Sequence, residues 1–352
     1  MSKYPKISIV TPTYNCAALI RDCIHSILNQ GYDNFEHIVV DGESNDDTVA
    51  ILKEYPHIKW ISEPDKGEVE ALNKGLRMVT GDIIGWLNAD DCYVDGAFQR
   101  VVAEVKPEQD RHLIYGKTIF INDQKEPTHW VTPATTINMV TLPKWFTLNL
   151  FQPSMFFSRE LFKNVGFFNP ELCFGADYHY WFRIAKKGYS FNFVDQVFAK
   201  SMIYRAGGKT ETPYAVKAKE WWEICMEFLP NLTTAERIQF FKEFYTFRMN
   251  YADEYYKGEN LELPKNPECL TGFIRAYREQ RGINPTHFLE LLTAKSSPKA
   301  KDYLSLSADL LGMYGETLSQ HGRQSEAMKA FEWALAWESG DPILRQEFGA
   351  LS

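Results

Sequence analysis

The amino-acid sequence predicts an α/β fold with a mainly parallel sheet, followed by an all-α region. Short apolar runs rich in β-branched residues alternate with segments of helical periodicity through the first 105 residues. These runs are apolar at nearly every position, which is typical of strands covered on both faces. Beyond Pro213 strand signals largely disappear, and helical patterns interrupted by prolines take their place.

Four strand–helix units build the first part of the predicted α/β domain. After the first strand, Ile20, Ile24 and Ile27 recur at helical spacing, and Gly31 ends the helix. The predicted strands are Lys6–Thr11, Phe35–Val40, Lys59–Ser62 and Asp82–Leu87, and the helices begin near Ala17, Asn45 or Asp46, Glu68 and Ala97. Strands that alternate with helices in this way indicate a parallel sheet with both faces covered.

The second part of the domain is less regular. Prolines interrupt an aromatic-rich region from Leu113 to Thr147, for which we expect short strands and a loop. The later predicted elements are a strand at Phe151–Phe157, a helix that opens at Asp177 and ends at Gly188, and strands at Phe191–Val194 and Val197–Tyr204. The α/β domain is therefore expected to occupy residues 1–210.

Residues 211–352 are predicted to form a separate helical domain. Its last segment, Ala308–Pro342, spaces small and aromatic residues much like one tetratricopeptide helix pair. Such a repeat usually needs neighbouring copies to bury its faces, so an ordinary terminal helical hairpin is the favoured interpretation.

Composition excludes several classes of function. The 352 residues include 38 Lys and Arg against 46 Asp and Glu, a net charge of -8, which disfavours general attraction to nucleic acid or anionic lipid. The six cysteines form no C-x-x-C pair, and no signal-peptide pattern or membrane-length apolar stretch is present. We therefore expect a cytoplasmic protein without a transmembrane segment, whose membrane contact, if any, is peripheral or through a partner.

A polar cluster follows the fourth predicted strand, where open α/β sheets bind ligands. Asn88, Asp90 and Asp91 place two carboxylates and an amide together, an oxygen-rich set suited to Mg²⁺ or Mn²⁺. Such a metal bridges phosphates and neutralises the charge on a diphosphate leaving group. A solvated turn with helix capping is an equally weighted alternative.

Similar clusters lie at the same predicted edge. Asp41, after the second strand, can accept a hydrogen bond from a ligand N–H, or serve only as a turn residue. Asp65 and Lys74 add a carboxylate and a cation that can meet phosphate, or serve as a cap and a surface charge. Asp177 is the strongest candidate for a general base, although an Asp at a helix start is more often an N-cap.

Taken together and in order, these clusters resemble the family 2 glycosyltransferases, which have a GT-A fold. The matching segments are SIVTPTYN at Ser8–Asn15, VDGESNDDT at Val40–Thr48, DKG at Asp65–Gly67, ALNKG at Ala71–Gly75, LNADD at Leu87–Asp91, and Gly175–Asp177 through Trp181 to Arg183. The resemblance covers residues from about 6 to 210, with five ordered matches that are specific as a set.

The resemblance implies roles for these residues. In the first two motifs Pro12, Tyr14, Asn15 and Asp41 would hold the base and ribose of a nucleotide, usually uridine. The residues that would support the donor and its cation are Asp65, Lys74, Asn88, Asp90 and Asp91, with Asp90 as the metal ligand aided by Asp91. Asn88 stands where many members carry Asp. Asp177 matches the family's base, which implies a single in-line displacement that inverts the anomeric centre.

Other features qualify the resemblance. Many relatives place a His after a late Tyr-Arg pair, whereas here Tyr204-Arg205 leads to Lys209, a candidate phosphate contact. No zinc-type histidine spacing and no G-x-G-x-x-G after a strand are present, so zinc and NAD are not expected. Trp130, with Trp145 and Phe146, could stack on an acceptor sugar or pack against the helical domain.

The expected partners are a nucleotide sugar and a glycan or lipid-linked acceptor, in glycan or surface-polysaccharide synthesis. The helical domain leaves homo-oligomerisation and docking to a membrane assembly open. Two alternatives stay open as well. A sugar-nucleotide pyrophosphorylase would need a glycine-rich basic loop after the first strand, which the sequence lacks. A non-catalytic nucleotide-binding scaffold would use the helical tail to recruit partners, although retention of both Asp90 and Asp177 argues against it.

Overall fold

The structure is a computed structural model. It describes residues 4–105, 113–122, 124–139, 141–142 and 148–202, together with 220, 223–224, 227–228, 322–323, 325 and 328–329. The chain divides into two units, Met1–Phe228 and Leu229–Ser352, and the account below concerns the first. The predicted tetratricopeptide-like pair and Lys209 lie outside the described residues apart from a few positions, and the boundary at residue 210 stays a prediction.

The described part of the first unit is a nine-stranded mixed sheet with helices on both faces. Its elements are β1 (Ile7–Thr13), α1 (Ile20–Leu28), β2 (Phe35–Asp41), α2 (Thr48–Leu52), β3 (Ile58–Ser62), α3 (Glu68–Leu76), β4 (Ile83–Trp86), β5 (Cys92–Tyr93), α4 (Ala97–Glu104), β6 (Leu113–Ile121), β7 (Pro127–Val131), β8 (Met155–Ser158), α5 (Arg159–Val165), α6 (Ala176–Lys186) and β9 (Phe191–Met202). The strand order is β3-β2-β1-β4-β8-β6-β9-β5, with β7 beside β6.

The first four long strands are parallel, as the sequence predicts. β1 pairs with β2 on one side and with β4 on the other, and β2 pairs with β3. Their carboxyl ends therefore meet at one edge of the sheet. This arrangement confirms the α/β class and positions the loops that follow β1, β2 and β4 next to one another.

β1 extends two residues beyond its predicted end and includes Pro12, which is paired with Val40 of β2. The register explains why a proline is tolerated there. The carbonyl of Val10 bonds toward β4 and that of Thr13 bonds toward β2, so the missing N–H of Pro12 faces β4. β4 ends opposite Val10, so no ladder hydrogen bond is lost at Pro12.

The core lies on both faces of the parallel strands. On one face the buried side chains of α1 and α4, including Ile27 and Phe98, pack on Ile9. On the other face α3 lies so close to the sheet that a Cβ on Gly75 would come 2.4 Å from a methyl carbon of Val10. Burial of these apolar faces stabilises the sheet and fixes the direction of each loop at its edge.

The second half of the sheet departs from a simple parallel pattern. β8 is antiparallel to both β4 and β6, β9 is parallel to β6, and β5 is antiparallel to β9. The two strands predicted at 191–194 and 197–204 form one strand, β9, with an irregular register beside Gly116. A Cβ on Gly116 would come 2.6 Å from the Gln196 carbonyl, so glycine allows this close approach.

A short helix, α5, is absent from the prediction. It begins directly after β8, where the Ser158 hydroxyl accepts a hydrogen bond from the Leu161 N–H at 3.1 Å and caps the helix. With only seven residues, it is too short for a recognisable helical repeat in the sequence.

A buried carboxylate lies at the opposite edge of the sheet, near the amino ends of the strands. Glu36 of β2 accepts hydrogen bonds from the ammonium groups of Lys6 at 2.9 Å and Lys59 at 2.8 Å. It also accepts from the Ser8 hydroxyl at 2.6 Å and the Thr80 N–H at 2.7 Å. Burial by itself would raise the pKa of Glu36, but these bonds from Lys59, Ser8, Lys6 and Thr80 hold that pKa well below its usual value.

Candidate functional site

A cleft of about 710 Å³ lies at the carboxyl ends of β1, β2 and β4. Its described lining residues are Pro12, Thr13, Tyr14, Cys16, Gly42, Glu43, Pro64, Asp65, Gly67, Glu68, Ala71, Asn88, Ala89, Asp90, Asp91, Ser201 and Met202. Five of them are acidic, and none of these seventeen is Lys, Arg or His. The cleft is therefore strongly electronegative and large enough for a nucleotide-sized ligand.

The loops after β1 and β2 are bonded to each other. The Asn15 N–H donates to the Ser44 hydroxyl at 2.8 Å, and the Asn15 side-chain oxygen accepts from the Asn45 N–H at 2.9 Å. Asn15 adopts a left-handed backbone with φ of 49°, a conformation that Asn tolerates better than most residues. Asn15 thus braces the two loops and is not among the residues that line the cleft.

A second pair of bonds completes this brace. The Cys16 N–H donates to the Thr48 hydroxyl at 2.9 Å, and the Ala17 N–H donates to Asp46 at 3.0 Å. The polar residues of the VDGESNDDT segment therefore serve the loop after β1 as much as their own. Tyr14, between these anchored positions, lines the cleft and is 59% exposed.

Asp41 is fully buried at the end of β2. One carboxylate oxygen accepts from the Ser44 N–H at 2.9 Å and the Ser62 hydroxyl at 2.6 Å, and the other accepts from the Ser44 hydroxyl. Asp41 itself is not among the residues lining the cleft, whereas Gly42 beside it is. In this structure the carboxylate holds the loop after β2 against β3.

Asp65 joins the cleft from the loop after β3. A Cβ on Gly42 would come 2.7 Å from a carboxylate oxygen of Asp65, so only glycine leaves room for this approach. The Asp65 carboxylate accepts from the Gly67 N–H at 2.8 Å. Burial raises the pKa of Asp65, and the charges of Glu70 and Asp41 add to that rise against the opposing effects of Gly67 and Lys74.

Lys74 lies on α3 and contacts the loop that carries Asp65. Its ammonium donates to the Pro64 carbonyl at 2.7 Å and forms an ion pair with Glu63 at 2.9 Å. It is not among the residues lining the cleft. These contacts tie the loop that carries Asp65 to the last turn of α3.

The cluster after β4 lies in the cleft. The Asn88 side-chain oxygen accepts from the Trp86 indole N–H at 2.7 Å, which orients its amide. Asp90 is half-buried, and Asp91 is 5% exposed. Burial, followed by the charge of Asp90, raises the pKa of Asp91 well above its usual value.

Two structural contacts connect Asp91 to the last strand. Its carboxylate accepts from the Met202 N–H at 3.3 Å and interacts with the Ser201 hydroxyl, and both bonds favour the charged form. The charge of Glu68, at the start of α3, opposes that form. Carboxylates from two parts of the sequence, the Asp90–Asp91 pair and Glu68, thus act on one another in the cleft.

The arrangement fits a divalent cation that is shared with a ligand. Among the residues that the structure describes, no three His, Cys, Asp or Glu side chains form a ready-made metal cage. Mg²⁺ in nucleotide sites is commonly bound through one or two carboxylates together with substrate phosphates. Asp90 and Asp91 can supply that protein share.

Asp177 is the second residue of α6 and is half-buried. It is not among the residues lining the cleft, but buried contacts connect its helix to the end of β4. A backbone hydrogen bond joins the neighbouring Tyr178 hydroxyl to Leu150. Two residues further on, the Gln152 amide donates to the Trp86 carbonyl.

Glu43, Glu68, Ser201 and Met202 are among the cleft-lining residues to which the sequence analysis gave no role. Glu43 has a φ of 62°, uncommon for a residue other than glycine, and Glu68 opens α3. An acidic first turn after a polar loop was the available signal for Glu68. Ser201 and Met202 belong to β9, more than 100 residues beyond Asp90, and nothing in their local sequence marks them as cleft residues.

Of the helices in the described ranges, none is long and apolar enough to cross a membrane.

Sequence comparisons show what the first part of the chain is similar to. The model of glycosyl transferase family 2 matches residues 8–166. An uncharacterized glycosyltransferase of Rickettsia prowazekii is 26% identical over 340 residues, covering 94% of this chain and 96% of that protein. A chondroitin synthase of Escherichia coli is 33% identical over 119 residues, which are 33% of this chain and 17% of the synthase.

Structural comparison identifies the fold. The crystal structure of S. aureus TarS 1–349 has a TM-score of 0.57 and 16% sequence identity, covering 96% of this chain and 92% of that one. The same protein in complex with UDP-GlcNAc has a TM-score of 0.58 and 14% identity, covering 95% and 92%. At these identities the likeness concerns the fold alone. Residues 8–166 of this chain therefore match glycosyl transferase family 2, in a domain with the GT-A fold.

Proposed function

We propose that the chain is an inverting, metal-dependent glycosyltransferase that moves a sugar from a UDP-sugar to an acceptor hydroxyl. The match of residues 8–166 to glycosyl transferase family 2 supports the reaction class, sugar transfer from an activated donor. The donor nucleotide, the cation and the stereochemical course are the proposed parts. They are supported by the charge and shape of the cleft and by the placement of the motif residues around it.

The charge of the cleft carries the proposal. A nucleotide diphosphate is an anion, and the described lining residues offer it five carboxylates and no cationic side chain. Without a counter-charge, repulsion between these carboxylates and the phosphates would disfavour binding of the diphosphate. A divalent cation held by Asp90, with Asp91 beside it, would reverse the local charge and supply the Lewis acid for the leaving group.

We assign the remaining motif residues to different parts of the donor site. Pro12 and Tyr14 line the part of the cleft between β1 and β2, where a base can lie against the exposed ring. Asp41 and Asn15 hold the surrounding loops, so we assign them to the shape of the nucleotide site. Asp65 lies at its rim and is held there with the help of Lys74.

UDP is chosen over other nucleotides on two grounds. The family resemblance favours uridine, and TarS, which shares the fold, is known in complex with UDP-GlcNAc. The relative named chondroitin synthase supports a polysaccharide acceptor, so we place the reaction in glycan or surface-polysaccharide synthesis. The acceptor is a glycan or lipid-linked hydroxyl compound.

Asp177 is assigned as the general base. The acceptor hydroxyl oxygen forms a bond to the anomeric carbon while the bond from that carbon to the diphosphate oxygen breaks, and UDP leaves with the electron pair. The hydroxyl proton passes to the Asp177 carboxylate. Attack from the face opposite the leaving group inverts the anomeric centre.

The test is UDP release from a panel of UDP-sugars, with Mn²⁺, with Mg²⁺ and with chelator. We expect release that depends on one donor and on the cation, and a loss of about 100-fold or more in Asp177→Asn, in the range of general-base contributions. Asp95→Asn, an exposed carboxylate outside the cleft, is the matched control and should keep full activity.

Three results would contradict the proposal. Release that is equally fast in chelator would remove the role of the cation. Tight UDP binding in calorimetry without turnover of any donor and acceptor would favour the non-catalytic scaffold. Formation of pyrophosphate from a nucleoside triphosphate and a sugar phosphate would instead favour a pyrophosphorylase.

A further inference from the structure

Three consecutive backbone N–H groups directly before α6 converge on one distant carboxylate. One oxygen of Glu220 accepts from the Cys173 N–H at 2.8 Å, and the other accepts from Phe174 at 2.8 Å and Gly175 at 2.9 Å. Gly175 is the N-cap of α6 and has no side chain with which to cap the helix. Glu220, 45 residues further along the chain, therefore supplies the anchor that the local sequence lacks.

The segment that carries Glu220 also packs closely against Gly175. A Cβ on Gly175 would come 2.6 Å from a methyl carbon of Ile224, and Ile224 is almost fully buried. Glycine at the helix start thus allows the segment that carries Glu220 to approach the backbone. The loop and the segment fit each other at the position where the carboxylate binds.

The same segment follows α6 for two further turns. Glu227 lies 3.0 Å from the ring Nε2 of His179. The ring of Phe228 stacks on Phe182, with centroids 5.0 Å apart and planes inclined by 10°. The contacts at 220, 224, 227 and 228 have the spacing of one helical face, so Glu220 is held in register with α6.

We propose that Glu220 is a positioning residue for sugar transfer, which acts by fixing the first turn of α6 and with it the carboxylate of Asp177. The inference rests on the proposed function, in which Asp177 is the general base. Asp177 lies only two residues beyond Gly175, the last N–H that Glu220 binds. Charge-assisted hydrogen bonds are the strongest of their kind, and three of them on one carboxylate fix both the place and the direction of the loop.

The rest of α6 does not depend on Glu220. Trp181, Phe182 and Ile184 are buried in the domain and hold the later turns by apolar packing. Loss of the Glu220 charge should therefore loosen the first turn and leave the fold intact. A displacement of about 1 Å at a catalytic group can lower a rate by about 100-fold, so the effect should appear in kcat.

The experiment compares Glu220→Gln and Glu220→Asp with the control Glu171→Gln in the full chain. Glu171 is an exposed residue just upstream of the loop. With the UDP-sugar that supports turnover, we expect kcat for UDP release to fall about 10- to 100-fold in Glu220→Gln, with KM for the donor and Tm nearly unchanged. The shorter Asp retains both oxygens and should recover part of the rate, while the control should match the unaltered chain.

A double variant separates this proposal from the one on which it rests. If Asp177→Asn keeps full activity, the assignment of the base fails, whatever Glu220 does. If Asp177→Asn is slow and Glu220→Gln slows it no further, Glu220 acts through Asp177, as we infer. An undiminished effect of Glu220→Gln in the Asp177→Asn background would overturn the positioning role. The positioning role would also be overturned if the rate losses in both Glu220 variants were explained by a loss of folded protein or by a rise in the KM for the donor.

Discussion

The two edges of the sheet treat a buried carboxylate in opposite ways. Glu36, at the edge near the amino ends of the strands, is 6% exposed, and Asp91, at the cleft edge, is 5% exposed. Two ammonium groups and two hydroxyl-bearing residues surround Glu36 and lower its pKa. Asp91 lies among other carboxylates, and its pKa is raised. Burial is the largest cause of the rise in the pKa of Asp91, whereas at Glu36 the hydrogen bonds from its partners outweigh the effect of burial.

The comparison shows at which edge of the sheet the protein itself balances the charge of the buried carboxylate. A buried charge is tolerated when hydrogen bonds and opposite charges surround it, as they do at Glu36. Carboxylates that act on one another without a cationic side chain are typical of functional sites. The first arrangement serves stability, whereas the second is suited to a ligand that brings positive charge.

The largest expected effect is on the cleft side. Asp90→Asn should lower cation-dependent UDP release by about 100-fold or more, as loss of one group that stabilises developing charge commonly does. The Tm should stay equal or rise, because the change relieves repulsion with Asp91. UDP-release assays and thermal melts test both parts. A clear fall in Tm would show that Asp90 is a structural carboxylate like Glu36.

The opposite edge should respond in the opposite sense. Glu36→Gln should lower the free energy of unfolding by about 2 kcal/mol, somewhat less than for a fully buried pair, because Lys59 is half exposed and stays hydrated. The rate of UDP release per folded molecule should not change. Urea denaturation measures the first quantity. Glu54→Gln, which removes an exposed pair with Arg21, is the control and should be neutral.

Acid should weaken the protein through a third buried group, His37. Burial, together with the nearby charge of His57, lowers the pKa of His37 from 6.5 to about 3. The folded state therefore keeps His37 neutral while the unfolded chain takes up a proton, so its stabilising contribution is full above pH 6.5 and falls toward pH 3. The expected slope is about 1.4 kcal/mol per pH unit at most for this single proton.

Urea titrations between pH 7 and 5 can isolate this contribution. The window lies above the ordinary pKa of Glu36, 4.5, so that residue contributes only slightly there. Burial also lowers the pKa of His57, so the informative quantity is the difference between the unaltered chain and His37→Gln. Equal slopes in the two proteins would mean that His37 does not titrate as its burial requires.

The smallest effect concerns an exposed aromatic residue at each edge. Tyr14→Ala should weaken UDP binding about fivefold, through loss of roughly 1 kcal/mol of stacking. Tyr4 is similarly exposed, at 62%, but its carbonyl binds Asn34 near the amino end of β2, away from the cleft. Tyr4→Ala should leave the Kd for UDP unchanged in calorimetry. Equal weakening by the two substitutions would argue against a base beside Tyr14.

Much of the parallel half of the fold and of the cleft could be predicted from sequence. Alternation of apolar runs and helical periodicity is a local signal, and it located β1 to β4 within two residues at each end. The carboxyl ends of parallel strands meet by geometry, which is why Asp65 and Asp90 could be expected at one edge. The prediction did not anticipate that Asp41 would be enclosed by Ser44 and Ser62, because burial depends on neighbours outside its own segment.

The sequence by itself determined the α/β class, the four parallel strand–helix units and the carboxylates that follow them, because short-range periodicity and strand direction are sufficient for these. Only the tertiary structure decided the mixed order of β8, β6, β9 and β5, the arrival of Ser201 and Met202 in the cleft, and the capture of the α6 loop by Glu220. Each depends on pairing between residues tens of positions or more apart. No local pattern specifies such a partner, since it is selected by packing of the whole domain.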